Sequence, residues 1–139
     1  MVNLSKKVAH NPLIDSILIL IMDVHSKTSR SYNMSRIRSS KTQPELKMKK
    51  VLRTLGFTYQ PKGIYGKPDF ADRNDRIAIF IDGCYWHKCP KHYTDSKSNR
   101  SYWLPKIKRN VARDKEVSRQ LRSQGWIVIR IWEHSIAKL

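Results

Sequence analysis

The sequence predicts an α/β domain in which helices pack on a central mixed β-sheet. Three observations carry that expectation. Met48, Val51, Leu52 and Leu55 recur at i, i+3, i+4 and i+7, the repeat of a helix with one apolar face. Ile77 to Ile81 is nearly continuous aliphatic, as in a strand covered on both sides. Ile107, Val111, Val117 and Leu121 then recur with charges between them and lead into "WIVIRIW", a second helix feeding a buried strand.

The elements follow in order. The apolar run "PLIDSILILIM" at 12–22 is interrupted by Asp15 and Ser16 and falls short of the roughly 20 residues that cross a bilayer. No small-x-small cleavage site follows it, so residues 1–22 are expected to be an extension and not a membrane helix or signal peptide. Between residues 26 and 53 stand nine Lys or Arg and a single acid, Glu45. The first part, "SKTSRSYNMSRIRSSKTQ", lacks a sustained apolar period and reads as a mobile basic arm. Thr42 or Gln43 before Pro44 starts the first helix, and Gly56 closes it as a left-handed cap. "FTYQ" is a short extended piece, "KGIYGKP" a loop, and "DFADRNDRIAIFID" two strands joined at Asn-Asp. Residues 83–102 show no periodicity, which is long for a structureless loop unless a metal organises it. The second helix runs from about Trp103 to Ser123 and ends near Gly125. Trp126 and Trp132, flanking the last strand, are expected in the core. The order is helix, three strands, helix, strand, without internal repeats.

At 139 residues the chain can bury one core without disulfide staples. Its 28 Lys and Arg against 11 Asp and Glu give a net charge of +17 and a pI near 10.2. A polyanion, above all nucleic acid, is the expected partner, with a ribosome-like structural protein as the alternative.

Four groups carry chemistry. Cys84-x4-Cys89-x2-His92 supplies three soft or borderline ligands from one loop, a zinc pattern and not a disulfide framework, in an intracellular, reducing compartment. His134, just past the last strand, is the best fourth ligand, with His87 competing for the place. Asp69 in "GKPDF" enters a strand opposite the one carrying Ile81 and Asp82. A carboxylate on a rigid strand end beside a main-chain carbonyl suits Mg²⁺, although a Pro-Asp pair also marks ordinary turns. His87, if left free by the metal, could move a proton during phosphodiester hydrolysis; it could equally be satisfied by a carbonyl. Tyr85, Trp86 and Trp103 could stack on bases or pack in the core.

Taken together, "DVHSKTSRSYNMSRIRS", "GKPDF", "FIDGCYWHKCPKH", "YWLPKIKRNVARD" and "GWIVIRIWEH" resemble the very short patch repair (Vsr) endonuclease family, in order from residue 23 to about 136. The resemblance implies a restriction-endonuclease-like fold over 23–139, with 23–42 as a DNA-binding arm and 1–22 as a disordered extension or an upstream start. It implies a DNA-repair enzyme that binds structural zinc, requires Mg²⁺ and nicks duplex DNA 5′ of the T in a T:G mispair left by 5-methylcytosine deamination. It further implies a monomer in the cytoplasm at the nucleoid, linked in function to a cytosine-5 methyltransferase. Carried over by position, Asp69 and the Ile81 carbonyl hold Mg²⁺, His87 is the catalytic His, and Glu45 supports the site by orienting His87 or a water. Cys84, Cys89, His92 and His134 fall at zinc positions. Tyr85, Trp86 and Trp103 match intercalating aromatics, Met34 enters from the minor groove, and Lys106 and Asn110 contact the mispair and its neighbours. Asp82 stands where some members have His, an acid expected to strengthen metal binding or assist proton transfer. The rival readings are a zinc-bearing nucleic-acid-binding module without catalysis, which leaves Asp69 without a role, and a related endonuclease with another lesion or sequence preference.

Overall fold

The computed structural model describes residues 41–136, so Met34, the basic arm up to residue 40 and the 1–22 extension lie outside the described residues. Helix α1 (Gln43–Thr54) begins at Thr42, whose hydroxyl accepts the Glu45 N–H, while the Glu45 carboxylate reaches back to the Lys41 N–H at 3.0 Å. Orphan N–H groups at the helix start are thereby satisfied from both directions. The helix ends in a Schellman motif: Phe57 N–H bonds to Leu52 O, Gly56 N–H bonds to Arg53 O, and Gly56 takes φ +87°.

Strands β1 (Thr58–Tyr59), β2 (Phe70–Asp72), β3 (Ile77–Asp82) and β4 (Ile127–Trp132) form one sheet in that order. The first two pairings are antiparallel and β3–β4 is parallel, with Phe80 opposite Arg130 and Asp82 opposite Trp132. A parallel neighbour requires a crossover, which helix α2 (Arg100–Ser123) supplies. The Asp72 carboxylate ties the β2–β3 turn by accepting from the Asn74 and Asp75 N–H groups.

Alternation along β3 decides what each face of the sheet buries. Ile77 and Ile79 pack with Met48 and Leu52 of α1, and with Phe70 and Ile131. Ala78 and Phe80 pack on the opposite face with Val117 and Leu121 of α2, and with Ala71 and Val128. Burying a side chain of Leu or Ile size contributes about 1.5–3 kcal/mol, so these two layers dominate the stability of the sheet. Asp82 and Arg130 follow the same alternation onto the α2 face, two residues beyond the apolar cluster.

Three features differ from the sequence expectation. Helix α2 begins at Arg100 and not near Trp103, with Tyr102 and Trp103 N–H both bonded to Asn99 O. Pro105 then lies inside the helix, where its missing N–H costs one backbone bond. The extra turn carries Tyr102 and Trp103 toward the loop of residues 83–99. A short helix α3 (Glu133–Ile136) follows β4 and drops Ile136 into the α1 core. Trp126 and Trp132, expected in the core, are both half-buried, with Trp126 packed against the edge of the α2-side cluster.

Gly66 locks the loop before β2 against α2. A Cβ at this position would sit 2.2 Å from Val117 Cγ1, and φ is +75°. Gly66→Ala is expected to destabilise the fold by about 2–4 kcal/mol in denaturant unfolding, from left-handed strain plus overpacking. Adding Val117→Ala should recover the overpacking part alone.

Candidate active site

The C-terminal end of β3, the start of β2, the N-terminus of α1 and the middle of α2 enclose a cleft of ≈ 420 Å³, with Glu45, Asp69, Ile81, Asp82, His87 and Asp114 among its walls. Asp69 is fixed by both neighbouring strands: its N–H bonds to Ile79 O at 2.9 Å and its carbonyl accepts from Gln60 N at 2.8 Å. Its side chain turns across the strand end, and Oδ2 accepts the Ile81 N–H at 2.7 Å. Burial pushes the Asp69 carboxyl up to about 7; the Ile81 N–H opposes the shift, Glu45 and Asp82 add to it, and His87 opposes it. A buried carboxyl crowded by other acids is a hard-oxygen site that gains from a divalent cation.

Glu45 reaches this cleft from α1, but its bonds are structural. Tyr59 Oη donates to Oε2 at 2.7 Å, Thr42 Oγ1 donates to Oε1 at 3.2 Å, and Lys41 N–H donates to Oε2. Burial and this carboxylate push the Tyr59 phenol up to about 12, so it stays a donor. The group that holds His87 is Asp114, not Glu45: His87 Nδ1 makes a short contact to Asp114 Oδ2. Asp82 Oδ1 lies 3.7 Å from the same nitrogen. Asp82, expected to serve a metal or a proton, is instead clamped by a guanidinium, with Arg130 Nε on Oδ2 at 2.7 Å and Nη2 on Oδ1 at 3.0 Å.

On the far side of the loop, ligand atoms of Cys84, Cys89, His92 and His134 lie within 4.8 Å of one another. Cys84 Sγ is 3.1 Å and Cys89 Sγ 3.6 Å from His134 Nδ1, and Cys89 Sγ is 3.7 Å from His92 Nδ1. Tetrahedral zinc with thiolate and imidazole ligands has edges of roughly 3.3–3.8 Å, and two of these three distances fall in that range, so the donor set is one on which a four-coordinate site can close. Burial pushes the Cys84 thiol up to about 12, so this sulfur ionises against a cation and not unaided. Burial, with His92 and Lys91 nearby, lowers His134 and keeps its ring neutral, as a ligand must be. His87 stays outside this group. Glu133 Oε1 accepts the Cys84 N–H at 2.8 Å and fastens the loop to the end of β4.

Between metal group and cleft sits an aromatic cluster. Trp86 and Trp103 have ring centroids 5.4 Å apart, and Tyr85 lies 5.3 Å from Trp86 and 6.0 Å from Trp103. Lys106 Nζ stands 5.1 Å from the Trp86 ring and 5.4 Å from that of Trp103, within cation–π range. Asn110 donates to the Trp86 carbonyl at 3.2 Å. Tyr85 Oη and Trp86 Nε1 are buried without a hydrogen-bond partner among the described residues, unlike most such groups in folded proteins.

A family model described as DNA mismatch endonuclease Vsr matches residues 22–95. The chain belongs to the Vsr family. Relatives include the type II nicking enzyme V.NaeI of Lentzea aerocolonigenes, 42% identical over 112 residues, covering 76% of this chain and 68% of the relative. The type II nicking enzyme V.NmeDIP of Neisseria meningitidis serogroup C is 36% identical over 121 residues, 84% of this chain and 82% of the relative. The DNA mismatch endonuclease Vsr of Escherichia coli (strain K12) is 36% identical over 114 residues, 80% of this chain and 73% of the relative. This Vsr-family chain is accordingly a DNA endonuclease, a hydrolase whose partner is DNA. No helix among the described residues is long and apolar enough to cross a membrane.

Of the residues singled out from sequence, Glu45, Asp69, Ile81, Trp86, His87, Lys106 and Asn110 line the same cleft. Tyr85 and Trp103 stand in the adjoining aromatic cluster, and the four Cys and His converge behind it. Sequence reasoning missed Asp114, Ser118, Arg130, Glu133 and Tyr59. Two signals pointed to some of them. Lys106, Asn110, Asp114 and Ser118 recur every four residues, one stripe of a helix. Arg130 interrupts an aliphatic strand, where a buried cation requires a buried acid.

Proposed function

We propose that this chain nicks duplex DNA on the 5′ side of the T in a T:G mispair, by Mg²⁺-dependent phosphodiester hydrolysis on a restriction-endonuclease-like scaffold. The observation that carries the reading is that Asp69 and His87 face one cleft beside an aromatic cluster on a Vsr-family chain. Asp69 and the Ile81 carbonyl would hold the cation, and bound Mg²⁺ would supply Lewis-acid stabilisation of charge developing on the scissile phosphate. Asp114 fixes the tautomer of His87: with Nδ1–H given to the carboxylate, Nε2 keeps its lone pair and can take a proton from the attacking water. Glu45 contributes by holding Tyr59 and the start of α1 against Asp69. Zinc in the Cys84, Cys89, His92 and His134 group would be structural, since four protein ligands leave no open position for chemistry. Tyr85, Trp86 and Trp103 would wedge beside the mispair, giving their orphaned polar groups water or base partners. Lys106 and Asn110 would then contact the bases.

Five relatives are named type II nicking enzymes, which supports a defined sequence context around the mispair; a functional link to a cytosine-5 methyltransferase belongs to the same proposal. Oligonucleotide duplexes carrying T:G, U:G or C:G in several contexts, at one salt concentration and with Mg²⁺ or EDTA, test this. A fixed salt matters because a chain of net charge +17 binds any DNA at low ionic strength, whatever its sequence. The expected result is a single nick in the T strand of T:G duplexes, lost in EDTA. Equal cleavage of C:G duplexes, or undiminished cleavage in EDTA, would refute the proposal.

A further inference from the structure

Arg130 lies inside the fold and is fully engaged. Its side chain is 21% exposed, against 7% for Asp82 and 15% for Asp114, and its guanidinium lies 4.5 Å from the Phe80 ring centroid. Nε and Nη2 grip the two oxygens of Asp82 at 2.7 and 3.0 Å. Nη2 also meets Asp114 Oδ1 at 2.9 Å, while Nη1 bonds to Ser118 Oγ at 3.1 Å and to the Asp114 carbonyl at 3.4 Å. A guanidinium has five N–H directions, and these contacts use all of them. Arg130 therefore has no capacity left for a DNA phosphate. What it joins is informative: Asp82 from β3 and Asp114 from α2, the two carboxylates that face His87 Nδ1.

We infer that Arg130 is a positioning residue for the nicking reaction, acting on His87 through Asp114. Two buried carboxylates on different elements repel each other and would swing apart without a cation between them. The planar fork holds both at fixed distance and direction, so Asp114 presents Oδ2 to the imidazole while Oδ1 is occupied by Arg130. Lysine could balance the charge but not the geometry. Asp82 is spent on this clamp, which is why it does not act as a second metal carboxylate. A ring displaced by about 1 Å loses roughly 10²-fold in rate, whereas DNA binding, which rests on other cations, is unchanged.

The inference rests on His87 acting in proton transfer, and a four-member cycle separates the two. Arg130→Met and His87→Ala are made singly and together, with single-turnover nicking rate and DNA dissociation constant measured for each, and thermal unfolding as the control for folding. The expected result is that Arg130→Met lowers the rate about 10²-fold with DNA affinity intact, and costs nothing further once His87 is Ala. If Arg130→Met does not fold, Arg130→Lys carries the same cycle, with an intermediate loss that also vanishes in the His87→Ala background. Full nicking by His87→Ala would remove the proton-transfer reading and the role of Arg130 with it. A reduced His87→Ala rate accompanied by an Arg130 effect that is absent, equal in both backgrounds, or confined to DNA affinity would overturn the positioning role alone.

Discussion

Replacing Asp69 with Asn is expected to lower the nicking rate by about 10³-fold while making the metal-free protein harder to unfold above pH 7. The rate effect follows from losing the carboxylate proposed to hold Mg²⁺, worth several kcal/mol of charge stabilisation in the transition state. The stability effect has the opposite sign and comes from burial. The Asp69 carboxyl is pushed from its ordinary 3.8 up to about 7, chiefly by burial and then by Glu45 and Asp82, against the opposing Ile81 N–H. The folded state thus prefers the neutral form. That preference stabilises the fold in full below pH 3.8 and is lost as pH rises through about 7, with each pH step between those two values removing roughly 1.4 kcal/mol. Asparagine copies the neutral carboxyl, and its amide oxygen still accepts from Ile81 N–H. Parent and variant should therefore melt together near pH 4 and diverge toward pH 8, with the variant higher. Mg²⁺ should close the gap from the parent side only, since it binds the folded anion. Nicking by the parent should likewise decline as pH falls below about 7, because protonated Asp69 gives up the cation. An Asn variant that nicks normally would overturn the metal-binding role of Asp69, and one that melts below the parent at pH 8 without Mg²⁺ would overturn the burial argument.

Much of this architecture is legible in the chain because apolar spacing reports burial directly. The i, i+3, i+4, i+7 series at Met48 to Leu55 and the aliphatic run at Ile77 became α1 and β3, and Gly56 and Gly125 ended helices as left-handed caps. The mixed sheet flanked by helices follows from those elements. The start of α2 was harder to see, because Pro105 argues for a helix beginning just before it, while aromatic packing by Tyr102 and Trp103 favours one more turn. The same split runs through the site. The Cys and His cluster within one loop, so spacing finds three of its members and the end of β4 suggests His134. Asp114 and Arg130 act across elements, and periodicity says which face a residue takes but not which acid meets which base. Glu45 shows the limit from the other side: an acid in the right place whose bonds serve a helix cap and Tyr59.

Removing the proposed zinc, by chelation or by Cys89→Ser, is expected to abolish nicking while leaving the sheet folded. Structural zinc in finger peptides contributes about 10–16 kcal/mol, enough to account for all the order of a small domain. In this chain the metal group lies outside the two apolar layers that cover the sheet, so the loss should fall on residues 83–99. The backbone bonds of that loop are local, His87 N–H to Gly83 O, Cys89 N–H to Cys84 O and Tyr93 N–H to Cys89 O. Its longer-range ties are the packing of the Tyr85 and Trp86 rings on Trp103 and a few single polar contacts: Cys84 N–H to Glu133, the Trp86 carbonyl to Asn110, and His87 to Asp114. Loosening the loop would release His87 from Asp114 and disperse Tyr85 and Trp86 from Trp103. Far-UV circular dichroism should therefore change little, whereas the near-UV aromatic signal and tryptophan fluorescence should shift, and nicking should fall by at least about 10²-fold. Binding to DNA at low salt should persist, since it follows the charge of the whole chain and not the loop. One zinc per chain by metal analysis, lost together with the aromatic signal, is the supporting pattern. A Cys89→Ser variant without metal that keeps both its aromatic spectrum and its nicking rate would show that the loop holds His87 in place by packing alone.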